Sequence, residues 1–375
     1  MKKILFLPFL QMLTGHHQVA DALIRSLNKR VQGIFLKKID FLSYANQRLE
    51  KVVTHTYLKW IGSFPQTYDS AYRHFVYPLS STKYLKLYGT LFHKKMYEML
   101  SQEQPDLIIC TQAYPSFLIN RLKEQGKILI PVINVYTDFF INRVWGCEGI
   151  DYHFVPDAKL KQELVNNRGI SGNRIFVTGI PVDDSFVPPI KRRRTTPPYH
   201  ILVSGGNGGL GDIFSFLQGM NSTSEFRYSI LCGNNEKLFK KIASWGMNNI
   251  QPLSYISSRK DMNDLYDQAD AIITKPGGVT ISEAFIKKLP IFIHSALPGQ
   301  EEINREYLTS KGLVYQLSPD HPISEQLLSV LNDEAKQTRW RKQVEFYHQE
   351  LETKAWQKIL EFTKETEIPS AKIKV

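Results

Sequence analysis

Short apolar runs recur along this chain, and each is followed by a stretch with helical periodicity. KILFLPFL, DLIICT, VINVYTD, HFVP and RIFVTG lie in the first half; HILVSGG, YSILCG, ADAIIT and PIFIHS lie in the second. Near-continuous runs of this kind suit strands buried on both faces of a parallel sheet. Between them, VADALIRSLNKR puts Val19, Leu23 and Leu27 on one helix face, and MNDLYDQ and VTISEAFIKK read as further helices. Strand–helix alternation in both halves predicts two doubly wound α/β domains.

The domain boundaries follow from composition. FVPPIKRRRTTPPY, residues 186–199, carries four prolines and a KRRR run and reads as a linker. The predicted organisation is an N-terminal domain over 1–185, a linker over 186–199, a C-terminal domain over 200–345 and a charged helical segment over 346–375. In open α/β sheets ligands bind beyond the carboxyl ends of the strands, so a cleft between the domains is the expected site.

The formal net charge of +11 favours anionic partners such as nucleic acid, acidic lipid headgroups or nucleotides; the plainer reading is a solvated basic surface. Cys110, Cys147 and Cys232 are few, odd in number and lack a CxxC spacing. Neither a disulfide framework nor a zinc site is expected, and a reducing cytosol fits. MKKILFLPFLQ imitates a short signal peptide, but no small-residue cleavage site follows, and it reads better as a first buried strand. No window approaches the roughly 18 apolar residues that a membrane span needs. Residues 44–98 break the α/β rhythm with interleaved aromatic and basic residues, among them Tyr57, Trp60, Phe64 and Tyr68. Such interleaving suits a membrane interface or acceptor surface. Single-stranded nucleic acid, or an insertion packing its rings inward, are the alternatives.

Three polar stretches carry the candidate chemistry. In KPGGVTISEA, residues 275–284, Lys275, Gly277, Gly278, Val279 and Thr280 lie where a strand turns into a helix. This is no Walker A loop, because no Gly-Lys-Ser/Thr follows. Bare backbone amides opening a helix suit a phosphate. Glu283, one turn in, is placed to accept from ribose hydroxyls, while Thr280-x-x-Glu283 equally matches a capping box, the reading that spacing alone favours. The second stretch follows HILVS: Gly206, Gly208 and Gly211 satisfy GxGxxG, with Asn207 and Gly209 between them. A dinucleotide reading needs an acid at the end of the next strand, yet YSILCGNN offers none. The third, PGQEEINRE over 298–306, offers Gln300, Glu301 and Asn304 to sugar hydroxyls, or is simply an exposed loop with a helix cap.

KPGGVTISEAFIKKLPIFIHSALPGQEEIN resembles the nucleotide-sugar site of glycosyltransferase family 28, in the branch of diacylglycerol glucosyltransferases and monogalactosyldiacylglycerol synthases. TGHHQVADAL, VINVYTDFFINRVW, VTGIPVDDSF and LVSGGNGGLG extend the likeness over most of the chain. The resemblance implies a GT-B fold: two Rossmann-like domains facing an interdomain cleft, the acceptor mainly on the first, the UDP-sugar mainly on the second, and the final helix crossing back to the first. It implies that Gly277, Gly278 and the Gly206–Gly209 loop face the diphosphate. Glu283 would then hold the ribose, the backbone at Tyr255 and Ile256 the uracil edge, and Gln300 and Glu301 the sugar. His16 matches the family histidine and His17 does not; Asp138 matches the aspartate of the Thr-Asp segment. The first loop, Gln11-Met12-Leu13-Thr14-Gly15, is poorer in glycine than the family's, and Ser254 stands where the family has glycine.

The expected activity is inverting transfer of a hexose from a UDP-sugar to a lipid such as diacylglycerol. The chain has no DxD, since Asp183 and Asp184 are adjacent, so backbone amides are expected to replace a metal. No cofactor is expected. His16 is the candidate base, with Asp138 orienting it or serving instead. The expected partners are the UDP-sugar donor, a lipid acceptor and an anionic membrane surface, and not nucleic acid. The expected location is cytoplasmic, peripheral on the inner face of the cell membrane. The alternatives are a non-lipid acceptor or UDP-sugar epimerase activity on the same fold, and a nicotinamide-dependent oxidoreductase.

Overall fold

The computed structural model describes residues 2–9, 15–63, 67, 82–189, 196–205, 224–297, 299–365 and 373. The chain divides into two compact units, Met1–Asp183 with Glu350–Val375, and Asp184–Gln349.

The first unit holds β1 (Lys2–Leu7), β2 (Ile34–Lys38), β3 (Leu107–Cys110), β4 (Val132–Val135), β5 (Tyr152–Val155) and β6 (Ile175–Val177). They form one parallel sheet in the order β2-β1-β3-β4-β5-β6. Alternate residues of the apolar runs are buried on opposite faces. Leu5, Leu7, Ile108, Val132 and Val155 belong to one core cluster, while Ile4, Phe6, Ile109, Ile133 and Phe154 are equally sealed outside it. Local chemistry sets the helix ends. Helix Ala158–Arg168 starts where the Asp157 side chain accepts from the Leu160 N–H, and stops at Gly169, whose φ of 66° is left-handed.

The C-terminal segment packs on this same unit. The Glu352 N–H donates to the Val177 carbonyl at 2.8 Å. In helix Ala355–Glu365, Phe362 stacks on Tyr152 with centroids 3.7 Å apart, and the Arg30 guanidinium lies 4.0 Å over the Trp356 ring. The changeover comes at Glu350 rather than at 346, because residue 346 lies inside helix Glu334–Gln349 of the second unit.

The second unit holds β7 (Tyr199–Ser204), β8 (Phe226–Leu231), β9 (Ile250–Leu253), β10 (Ala271–Thr274), β11 (Ile291–Ile293) and β12 (Tyr315–Gln316). Their order, β12-β11-β10-β7-β8-β9, is again fully parallel. Counted from β7, this is the 3-2-1-4-5-6 winding of a dinucleotide-type domain, with its switch point between β7 and β10. Of the proline-rich stretch, residues 190–195 lie outside the described residues. Residues 186–189 belong to the second unit: Phe186 meets Tyr266 edge-on at 5.3 Å, and the Val187 carbonyl accepts from Lys287 Nζ at 2.8 Å.

Candidate functional site

The register Ser204↔Thr274 sets the ends of β7 and β10 side by side. The glycine-bearing turn after β10 therefore leaves the sheet at its switch point. Gly206, Asn207, Gly208 and Gly209 lie outside the described residues. In the other turn, the Gly277 N–H donates to the Lys275 carbonyl at 2.8 Å, and helix Gly278–Ile286 begins at once. Among the described residues, nothing accepts from the N–H groups of Gly278, Val279 and Thr280, a first turn of the kind that can receive an anion. A Cβ built on Gly277 would meet nothing within 4 Å among the described residues, and its φ of −82° suits any residue. Among the described residues, neither strain nor packing accounts for that glycine.

Glu283 is no capping residue. The N-cap is Gly277, which puts Thr280 inside the helix. Glu283 is buried, with Oε2 accepting from the Tyr266 hydroxyl at 3.1 Å and Oε1 lying 3.9 Å from Arg259. The capping-box reading is thereby overturned, because the helix starts three residues before the pattern assumes.

Lys275, just past β10, is only 5% exposed, and burial lowers its pKa against the opposing pull of Glu301. His294 follows β11, and burial, then the charge of Lys275, lowers its pKa to about 4. Gln300 and Glu301 open helix Gln300–Ser310, and Gly299 ahead of them has a φ of 86°. The Glu301 carboxylate accepts from the Leu297 N–H at 2.5 Å, and Asn304 is buried. This stretch is therefore a helix start with an inward-facing amide rather than an exposed loop. Tyr255 is exposed and Ile256 half-buried in the loop between β9 and helix Arg259–Gln268.

In the first unit, a second cluster forms beyond β1, β3 and β4. His16 is the second residue of helix Gly15–Asn28, and its ring reaches two threonines outside that helix. Nδ1 lies 2.9 Å from the Thr111 carbonyl oxygen and 2.7 Å from Thr137 Oγ1. A carbonyl only accepts, so Nδ1 carries the proton and Nε2 keeps its lone pair. Burial lowers the His16 pKa, and the Asp138 charge acts in the opposite direction. A neutral imidazole whose Nε2 keeps its lone pair can accept a proton. His17 instead points to Asp40, 3.5 Å away.

The aromatic stretch divides. Phe92 joins the core against Phe41 and Tyr114, whereas Trp60 on helix Gln47–Ser63 is 39% exposed. Tyr57 lies on that same helix; Phe64 and Tyr68 lie outside the described residues. Among the described residues, no helix is long and apolar enough to cross a membrane. All three cysteines are free and buried.

Sequence patterning had not pointed to Tyr266, Arg259, His294 or Thr111. Each acts on a residue distant in sequence or stands at a strand end without a local motif.

Two six-stranded parallel sheets, one wound 3-2-1-4-5-6 with a glycine turn opening a helix at its switch point, define a GT-B protein. Solved structures agree on the fold. Acinetobacter baumannii MurG aligns over 98% of this chain and 100% of its own, with a TM-score of 0.61 at 14% identity. The Neisseria meningitidis UDP-GlcNAc 2-epimerase bound to UDP-GlcNAc aligns over 98% and 100%, with a TM-score of 0.57 at 15% identity. The family model for monogalactosyldiacylglycerol (MGDG) synthase matches residues 16–182, and that for glycosyl transferases group 1 matches residues 221–345. Among named relatives, the uncharacterized glycosyltransferase YkoN of Bacillus subtilis (strain 168) is 46% identical over 84% of each chain. The processive diacylglycerol beta-glucosyltransferase of Bacillus cereus (strain B4264) is 27% identical over 86% of this chain and 84% of its own. The chain belongs to glycosyltransferase family 28, in the branch that holds the diacylglycerol glucosyltransferases and MGDG synthases, and it is a glycosyltransferase.

Proposed function

We propose that the chain is an inverting, metal-independent hexosyltransferase that moves a hexose from a UDP-sugar to a lipid hydroxyl, with diacylglycerol as the acceptor class. The observation that carries this reading is the pairing of an open helix N-terminus at Gly278–Thr280 with the buried carboxylate of Glu283 one turn further on. The first suits a diphosphate and the second a ribose diol.

In this reading the acceptor oxygen forms a bond to the anomeric carbon from the face opposite UDP. The bond from that carbon to the UDP oxygen breaks, and configuration inverts. Negative charge grows on the leaving diphosphate. The N–H groups of Gly278, Val279 and Thr280, with Lys275, meet that charge in place of a metal. The acceptor's proton passes to His16 Nε2, whose tautomer the Thr111 carbonyl fixes. Asp138 supports the imidazolium that forms. Gln300, Glu301 and Asn304 hold the sugar, the backbone of Tyr255 and Ile256 the uracil, and the Gly206–Gly209 loop the far side of the diphosphate.

The lipid acceptor is supported by the MGDG synthase match over the first half and by relatives named as diacylglycerol glucosyltransferases. A net charge of +11 and the exposed Trp60 support an anionic membrane surface as partner, on the inner face of the cell membrane. The epimerases share the fold at 15% identity, which carries no activity to this chain. The test is a matrix of UDP-sugars against diacylglycerol, glycolipids and soluble sugars, with a chelator present, scored by UDP release and product mass. A glycosylated diacylglycerol of inverted anomeric configuration is expected. Transfer to soluble sugars alone, or dependence on added metal, contradicts the reading.

A further inference from the structure

We propose that Tyr266 is a positioning residue for the donor: its hydroxyl fixes the carboxylate of Glu283 in the orientation that receives the ribose diol. The proposal rests on the reading of Glu283 given above and adds a residue that no local motif marks.

Glu283 has three side-chain torsions, and a carboxylate receiving two hydroxyls at once must hold one plane. The Tyr266 hydroxyl donates to Oε2 at 3.1 Å and so uses one lone pair. Arg259 stands 3.9 Å from Oε1, on the other side. A carboxylate offers about four acceptor sites, so one hydrogen bond from Tyr266 does not exhaust it. Tyr266 is 1% exposed, so its hydroxyl acts on Glu283 from beneath rather than from the solvent side. Burial, and next the charge of Glu283, hold its pKa well above the ordinary phenol value, which keeps it a donor throughout the working range.

The tyrosine is itself held. Phe186 meets its ring edge-on at 5.3 Å. The helices bearing Tyr266 and Glu283 are joined again by Lys287, whose fully buried Nζ reaches Asn263 Oδ1 at 2.7 Å and Asp267 Oδ1 at 2.6 Å. The tyrosine therefore projects from a fixed helix onto a fixed helix, as a group that orients another residue must.

The test compares binding of UDP and 2′,3′-dideoxy-UDP to the wild-type protein and Tyr266→Phe by titration calorimetry, in buffer with chelator. Wild type should prefer UDP strongly. Tyr266→Phe should lose roughly tenfold in UDP affinity, the scale of one hydrogen bond to a charged group, with dideoxy-UDP binding unchanged. Equal weakening toward both ligands would mark a merely structural role and overturn the proposal, as would no weakening at all. If the wild type fails to discriminate between the two ligands, the ribose role of Glu283 is what fails, and the proposal falls with it. Should Tyr266→Phe not fold, 3-fluorotyrosine at position 266 gives the same decision. Its fluorine resonance should shift with UDP and stay put with dideoxy-UDP, and identical responses would overturn the proposal.

Discussion

The Nδ1 atom of His16 lies 2.9 Å from the main-chain carbonyl oxygen of Thr111. That one contact decides the imidazole's tautomer and turns a helix-opening histidine into a group able to take a proton through Nε2. Replacing it removes the proposed base without touching the residues proposed for the donor. His16→Ala should lower kcat by about 10²–10⁴-fold and leave UDP affinity within twofold, about 0.4 kcal/mol. Steady-state kinetics and UDP titration check both halves. A loss of UDP binding would reassign His16.

The pH profile follows from the same cluster. Burial lowers the His16 pKa below the usual histidine value, so the neutral, active form persists into mildly acidic solution. Activity should rise with pH along a limb centred below about 6.5 and then level off through neutrality. Asp138 pulls the pKa upward, so Asp138→Asn should move that limb to still lower pH. A limb moving toward alkaline pH in Asp138→Asn would contradict this electrostatic assignment.

Gly277 separates ligand contact from folding. Its backbone sits at φ −82° and ψ 134°, a region where valine is comfortable, and no described atom lies in the way of a Cβ. Gly277→Val should keep the wild-type melting temperature within about 3 °C, the scale of less than 1 kcal/mol for a domain this size. It should also weaken UDP binding by at least roughly tenfold, about 1.4 kcal/mol. Equal UDP affinity in the variant would mean that nothing approaches the main chain there.

Acid sensitivity should have a structural source away from the site. His153 is fully buried, with Nδ1 2.9 Å from the Tyr136 hydroxyl, and burial, then the charge of Arg174, lowers its pKa to about 3. Between about pH 6.5 and pH 3 the unfolded chain binds a proton at this position that the folded chain refuses. Stability is therefore complete above the unfolded value and falls with pH by up to about 1.4 kcal/mol per unit from this group. His153→Gln should be less stable at pH 7, yet lose stability less steeply on acidification. Urea unfolding at several pH values measures both, and parallel slopes for the two proteins would refute the assignment.

The legible and illegible parts of the fold divide along burial. Strands buried on both faces carry near-continuous apolar runs, and KILFL, LIIC, VINV and AIIT stand out at once. The segments IFLKK, IQPL and YQ carry no such run, and all three form edge strands, β2, β9 and β12, in which only Ile250 is buried. An edge strand needs no second apolar face, so the periodicity that betrays the others is missing. Within the site, the glycine turn could be read from its own residues. The partners of Glu283 and His16 could not, because Tyr266 is 17 positions from Glu283 and Thr111 is 95 from His16. Parallel pairing brings such residues together through crossovers that leave no local pattern. Capping chemistry also misled: Thr280-x-x-Glu283 has the right spacing, but Gly277 already caps the helix.

The first turn of helix Gly278–Ile286 is proposed to seat a sugar nucleotide's pyrophosphate without a metal. The direct measurement is a crystal structure of the protein with UDP, grown in the presence of a chelator. Phosphate oxygens are expected within hydrogen-bonding distance of the Gly278, Val279 and Thr280 amides, with the ribose hydroxyls on Glu283. UDP bound elsewhere, or bound only after a divalent cation is restored, would contradict it.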